Sequence, residues 1–533
     1  MNRRDMFFAT LALWIAASLP FVYGYLDCPS NRWFSGIVYN VHDTAQYLTW
    51  MRESATHVLI SNKLTAEPNA RLFFNLHWWI PGRTAAWLGW SLPTTYQVFR
   101  LLAVPLYVAV VFWVCSLFFN DRSRVRLAFW LTTLGSGLGW VWVVEKYLHH
   151  RTDALFPLDI YTTPGNSFWV LIASPHLTLA LALTILAFGL SWVAQQRRSL
   201  GIAAAAGGVT LFLGFGHVYD LVTIWSVLGL YGLLLTWRDG FRALTFVSLF
   251  EVVLLSTPGP LYFGWLSSSA NPHWHAALAQ FGNLGVWTPP PQHLVLLLGL
   301  PVVFALVAIL AKARFGERRW TDRDIFLGAW ITANLLLVYL PVEFQIMLLT
   351  GIQLPMAILT TDLIYDSVLP KLSRSMARWV PIGVLLLVLP TNAYLFAWRF
   401  VDLRRHTYPF YLHADDMTVV RWLAGHAGDA VVLSSMTIGH YLPGLSGVRV
   451  YLGSAVYTLQ ASVKRANVQK FFGTEMDDDQ RLALLREAGI DYVYAGPAES
   501  ALGNADLRRL PYLRPVVVTS EVTLYQVVSN ASS

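Results

Sequence analysis

The sequence predicts a polytopic α-helical membrane protein of about eleven transmembrane helices, followed by a C-terminal extracytoplasmic α/β domain. Three observations predict it. Hydrophobic residues make up 55% of the 533-residue chain and charged residues only 13%, which excludes a disordered segment and an ordinary soluble enzyme. Apolar runs of spanning length recur from about residue 7 to about residue 399, with basic residues in alternate loops between them. From about Asp402 the composition turns to that of a soluble domain.

The chain opens with MNRRD and then about 20 apolar residues, which reads as a retained signal anchor. A long polar segment, 27–99, follows. Further spans are expected at about 100–119, 125–144, 170–194, 200–216, 219–236, 242–262, 293–311, 324–341, 345–364 and 379–399. Arg3 and Arg4, Arg122 to Arg126, Arg197 and Arg198, Arg238 and Arg242, Lys312 to Arg323, and Lys371 to Arg378 mark every second loop. That is a positive-inside pattern with the N-terminus cytoplasmic and the C-terminal domain outside. The same loops account for the net charge of +7, so no nucleic-acid partner is needed to explain it. Cys28 and Cys115 fall at opposite ends of their spans, roughly 20 Å or more apart, and no disulfide is expected between them.

The division expected is a membrane domain over 1–401, with a long outer loop at 27–99, and a second domain over 402–533. In the latter AVVLSS, VRVYLG, DYVYAG, PVVVTS and VTLYQVV read as strands. MTVVRWLAG, TLQASVKRANVQKFF and DDDQRLALLREAG read as helices. There is no GxGxxG after a strand and no phosphate-binding loop. Asp415-Asp416 and Asp477 to Asp479 sit where helix N-caps belong.

The candidate chemistry lies on the predicted outer side, where the histidines also fall. Asp43, beside His42 in HDTAQYLTWMRESA, is a candidate general base or hydroxyl-orienting carboxylate. Its other reading is a helix start, with Gln46 completing a capping box. Glu67 and His77 share the same loop; a solvated turn and an interfacial tryptophan-rich helix are their competing readings. His176 in SPHLTL, and His217 and Asp220 in FGHVYDL, stand at the outer ends of spans, where a charged residue faces either water or a polar cavity. Glu251 lies mid-span, where a structural hydrogen bond is the commoner role. Gln345 returns to the outer surface. His273 and His275 lack a third metal ligand in range, so no dedicated metal site is expected, while a carboxylate-bound Mg²⁺ or Mn²⁺ shared with a substrate phosphate stays open.

Taken in order, these features resemble the GT-C superfamily of integral-membrane glycosyltransferases, in its bacterial branch. The resemblance rests on YNVHDTAQYLTWMRESA and NKLTAEPNARLFFNLHWWIPGRTAAWLGWSLPTTYQVFRLL in the first outer loop. Further along come GSGLGW, SPHLTLAL, GHVYDL and YLPVEFQ, and then HADDMTVVRWLA, TLQASVKRANVQKFF and GIDYVYAGPAE in the C-terminal domain. It covers nearly the whole chain. It implies inverting transfer of a hexosyl or pentosyl group from a polyprenyl-phosphate carrier to a glycan, lipid or protein acceptor, on the outer face of a bacterial cytoplasmic membrane. The acidic residue that such proteins place at the acceptor falls on Asp43. Many members have two adjacent acids there, and this chain has His42-Asp43 instead. No WWD motif appears, so an oligosaccharyltransferase is not implied. The leaving phosphate needs cationic or hydrogen-bonding partners, for which Arg71, Arg83, Arg100, Lys464 and the histidines near His217 are the outer candidates. Two other classes stay open. One is a lipid or sugar transporter, which inverted repeats would mark; the other is a catalytically silent scaffold of the same fold.

Overall fold

The computed structural model describes residues 3–151, 165–280, 287–314, 320–503 and 505–528. Arg318 and Arg319, from one of the predicted basic loops, lie outside the described residues. The chain divides into two compact units. The helical unit comprises Met1–Leu19, Phe99–Phe263 and Gly285–Val401. The mixed unit comprises Pro20–Val98, Gly264–Leu284 and Asp402–Ser533.

Every predicted apolar run is helical, because hydrophobic length is a local property. Among the described residues six helices are unbroken, long and apolar enough to cross a membrane, and nine spans result if each of three bent pairs is one span. The helices Leu200–Gly214 and Asp322–Leu337, with 15 and 16 residues, supply the remaining two predicted runs. Both fall short of the roughly 20 residues that a straight crossing needs. The result is a multi-pass helical membrane protein.

In the helical unit the predicted basic loops meet in ion pairs. Asp5 binds Arg122 at 2.8 Å and Arg126 at 2.6 Å. Arg124 binds Asp366 at 2.6 Å, Arg323 binds Asp362 at 2.8 Å, and Arg238 pairs with Asp322. Residues from several alternate loops therefore gather on one side, as the charge pattern requires. Aromatic packing fills the interior, with Phe188 against Trp330 and Tyr231 edge-on to Phe326.

The mixed unit is built on a five-stranded sheet. Its strands, with a short N-terminal ribbon, are β1 (Arg32–Phe34), β2 (Tyr411–His413), β3 (Val431–Leu433), β4 (Arg449–Val450), β5 (Tyr492–Ala495), β6 (Leu513–Val518) and β7 (Thr523–Val527). The sheet order is β4-β3-β5-β7-β6, parallel across β4, β3 and β5 and antiparallel beyond. All five predicted strands and the three helices between them are present, at Ala414–His426, Ala461–Phe472 and Asp478–Glu487. Leu433, Phe471, Leu485 and Val493 are central to the packing between sheet and helices.

The long polar segment that precedes the second predicted span is a layer of this unit. β1 pairs antiparallel with β2. Arg52 donates to the carbonyls of Gly444 and Leu445 at 2.8 and 2.6 Å. Arg449 donates to Ala66 at 2.6 Å, and the amide of Val450 to Lys63 at 3.2 Å. Within the layer, the helices Val41–Thr56 and Leu76–Leu88 approach so closely at Gly82 that a Cβ there would meet the Met51 carbonyl oxygen at 2.4 Å.

Candidate functional site

Asp43 sits in the first turn of the helix Val41–Thr56. The expected capping box of Asp43 with Gln46 is not formed, because the helix begins two residues earlier. Its cap is Asn40, held in the left-handed region at φ 47°, and the Asn40 side chain makes no cap hydrogen bond. That side chain instead donates to Asp43 Oδ2 at 2.6 Å. Gln46 bonds the hydroxyl of Tyr457. Asp43 and His42 both keep exposed faces. Burial nevertheless raises the Asp43 pKa, with the Asn40 bond and His42 opposing it, and lowers that of His42 against the pull of Asp43.

His42 has a partner from far along the chain. Its ring lies 4.2 Å, centroid to centroid, from that of His440, and 6.3 Å from that of Tyr408. His440 is 3% exposed, and its Nε2 has no hydrogen-bond partner among the described residues. Burial, with His42 and Arg465 adding to it, lowers its pKa to about 3, so the imidazole is neutral. Nothing local in TIGHYLPGL marks this residue, and reading the sequence missed it.

The other predicted residues of the mixed unit have structural partners. Lys464, 4% exposed, places its ammonium 2.6 Å from Glu67 Oε1 and 5.1 Å from the centre of the Tyr451 ring. Burial pushes the Glu67 carboxyl up, and Lys464 and Thr65 outweigh it, leaving the pKa lowered. For Lys464 burial outweighs Glu67, and its pKa is lowered too. Glu67 is thus an ion-pair partner whose side chain still reaches solvent. Arg83 donates to the Ala55 carbonyl at 3.3 Å and lies over Trp79. His77 is buried in the first turn of Leu76–Leu88, its amide donating to Asn75 Oδ1 at 3.1 Å. His273 bonds Asn62 at 3.1 Å, whereas His275 bonds the Ser267 carbonyl at 2.8 Å, so the two do not form a pair.

In the helical unit, His217 Nδ1 is 2.7 Å from Asp220 Oδ2 and Nε2 is 2.6 Å from the Tyr219 hydroxyl. Asp220 is fully buried. With Nδ1–H donating to the Asp220 carboxylate, Nε2 is the acceptor for the Tyr219 hydroxyl. The His176 ring lies 5.5 Å from that of His217, and Ser174 Oγ is 2.5 Å from His176 Nδ1. His217 also lines a cleft of about 20 Å³, room for about one water molecule. Gln345 is committed to the backbone, accepting from the Thr288 amide at 2.9 Å and donating to the Leu340 carbonyl at 2.6 Å. Arg100 donates to the Ala17 carbonyl at 2.9 Å. Among the described residues no three His, Cys, Asp or Glu side chains converge to hold a metal ion. No chemical step is assigned to the Mg²⁺ or Mn²⁺ left open by the sequence.

No protein-family model matches the sequence, and no curated protein matches it. Solved structures do match. The Archaeoglobus fulgidus oligosaccharyltransferase AglB, in complex with an inhibitory peptide and a dolichol-phosphate, superposes with a TM-score of 0.54 at 11% identity, over 91% of this chain and 69% of that one. The same protein tethered to an acceptor peptide gives 0.53 at 12% identity over the same shares. Its complex with Zn and sulfate gives 0.51 at 11% identity, over 96% and 73%. The chain thus shares the fold of that oligosaccharyltransferase over most of its length.

Proposed function

We propose that this protein is a membrane glycosyltransferase that moves a sugar from a polyprenyl-phosphate carrier to an extracytoplasmic acceptor. The observation that carries the reading is the fold match over 91% of the chain to an oligosaccharyltransferase that binds dolichol-phosphate. The Asn40-bound Asp43 near the start of the first long loop supports it. By this reading the membrane is a bacterial cytoplasmic membrane, the N-terminus is inside and the mixed unit is outside.

The proposed step is a displacement at the anomeric carbon. The acceptor oxygen bonds to that carbon as the carbon–oxygen bond to the carrier phosphate breaks, and the acceptor proton passes to Asp43. The products are the glycoside, of inverted configuration, and the polyprenyl phosphate. Phosphate is already a good leaving group, so orientation and charge placement contribute more than strong acid catalysis. A raised carboxyl pKa brings the base nearer the hydroxyl it must deprotonate. His42 and His440, ring against ring beside it and both with lowered pKa, add no positive charge to compete for the carboxylate. In the helical unit His176, His217 and Asp220 are the proposed polar partners of the carrier. Lys464, Arg83 and Gln345 keep roles of position, through the contacts described above.

The test is a transfer assay in membranes with a panel of labelled polyprenyl-phosphate sugars, comparing the wild-type chain with Asp43→Asn. Loss of a general base reduces the rate by about 10²–10⁴-fold. Robust transfer by Asp43→Asn sinks the role of Asp43. No transfer by the wild type with any carrier favours the silent scaffold.

A further inference from the structure

The mixed unit encloses a cavity of about 220 Å³ that the proposed step does not use. The β1–β2 ribbon supplies Arg32 and His413, which face each other in the strand register. Asp416 comes from the first turn of the helix Ala414–His426, Tyr494 from β5, and Glu499 from the short helix after it. Tyr408 completes the wall.

At about 30 Å³ of liquid per water molecule, the cavity has the room of roughly seven waters, comparable with one pyranose ring. Its chemistry is mixed. Asp416 and Glu499 are 5% and 1% exposed. Asp416 accepts from the Tyr494 hydroxyl and, at 2.8 Å, from the His413 amide. Glu499 accepts from the amides of Ser435 and Gly496 at 2.7 and 3.0 Å. Each carboxyl thus keeps accepting capacity, and among the described residues no lysine or arginine pairs with either. Arg32 has no carboxylate partner among the described residues either, while His413 is paired with Glu521. Burial raises the pKa of both carboxyls.

Two buried carboxyls disfavour an anion, and a guanidinium disfavours a cation. What suits acceptors, donors and aromatic walls together is a neutral ring bearing many hydroxyls. The Tyr408 ring stands 6.3 Å from that of His42, the neighbour of Asp43. We infer that this cavity binds a neutral monosaccharide unit of the acceptor, which makes the acceptor a glycan. The inference rests on the glycosyltransferase reading for the word acceptor; the binding of a saccharide does not.

The test is direct binding to the purified full-length chain in detergent, by ligand-observed magnetic resonance or calorimetry. The probes are methyl glycosides of neutral, amino and acidic sugars, short hydroxyl-bearing peptides and soluble lipid headgroups. Neutral glycosides are expected to bind the wild type and Asp43→Asn alike, at least about tenfold more tightly than charged ones. Arg32→Gln and Tyr408→Ala are expected to weaken them about tenfold, with unchanged thermal unfolding. Glu499→Gln is a third variant, informative only together with its melting curve because Glu499 also holds two backbone amides. The proposal is overturned if neutral glycosides do not bind, if Arg32→Gln and Tyr408→Ala bind them as the wild type does, or if peptides or headgroups bind in their place. Saccharide binding without transfer from any carrier keeps the cavity and removes the glycosyltransferase reading. Transfer to a peptide or lipid without saccharide binding does the reverse.

Discussion

The side-chain amide of Asn40 reaches forward three residues and donates to Asp43 at 2.6 Å, from a backbone held at φ 47°. Glycine tolerates that backbone without strain and lacks the amide. Asn40→Gly is therefore expected to fold normally while releasing the carboxyl. Transfer should fall about tenfold, the effect of losing one charge-assisted hydrogen bond. The bond lowers the Asp43 pKa, so without it the pKa rises further. A base must be ionised, and the acid limb of the pH–rate profile should move to higher pH. An unchanged profile with unchanged rates contradicts the orienting role.

The pair of Glu67 with Lys464 is expected to act on stability. Glu67→Gln leaves a buried ammonium without its counter-charge, at a cost of about 2 kcal/mol. The Glu67 pKa in the fold lies below its usual 4.5. Its contribution is therefore present above pH 4.5 and lost as the pH falls through the folded value. Denaturant melts should show the wild type losing stability in that acid window and the variant losing less. Equal slopes in both would argue against the pair.

Asp220→Asn tests the tautomer of His217. An amide offers either an acceptor or a donor to Nδ1, so the preference that now makes Nε2 the acceptor for Tyr219 is lost. If the imidazole contacts the carrier, its apparent KM should rise about tenfold, near 1.4 kcal/mol, with kcat within about twofold. A fall in kcat with unchanged KM would move His217 from binding to the chemical step.

Gly82→Ala should destabilise the loop layer by about 1–3 kcal/mol, because the new methyl group meets backbone that cannot rotate away. Gly229→Ala is the matched control, since nothing lies within 4 Å of its added carbon. There alanine is expected to be neutral or to stabilise the helix by up to about 1 kcal/mol. Both changes are read from thermal melts in detergent.

What the sequence disclosed was local. Alternation revealed each strand of the C-terminal sheet, and apolar length revealed each membrane helix. The breaks inside three spans were less visible: between Pro291–Leu298 and Leu300–Ala313 the chain turns by 105°, at Gly299 with φ 68°. Asp477 was legible as a cap, and it closes a box with Gln480. Asp416 does help to open its helix, accepting from the His413 amide, but His413 is the cap. At the candidate site Asp43 was visible because a polar helix start in a greasy chain is conspicuous. His440 and Tyr408 were not, since only folding brings C-terminal residues beside His42. Lys464 and Glu67 were named as separate binding groups, and the spacing of one sequence carries no sign that they neutralise each other.

The ribbon of Arg32–Phe34 with Tyr411–His413 sets a timetable for biosynthesis. Residues 20–98 leave the ribosome first, yet their partner strand and sheet begin at Asp402, about 300 residues later. At roughly 5–20 residues per second, the early segment waits roughly 15–60 s without its hydrogen-bonding and packing partners. Trp50 lacks its contact with Tyr457 for that interval, and Phe73 its contact with Trp274 for part of it. Maturation of this chain thus depends on whatever shields a tryptophan-rich segment until the last membrane helix is in place.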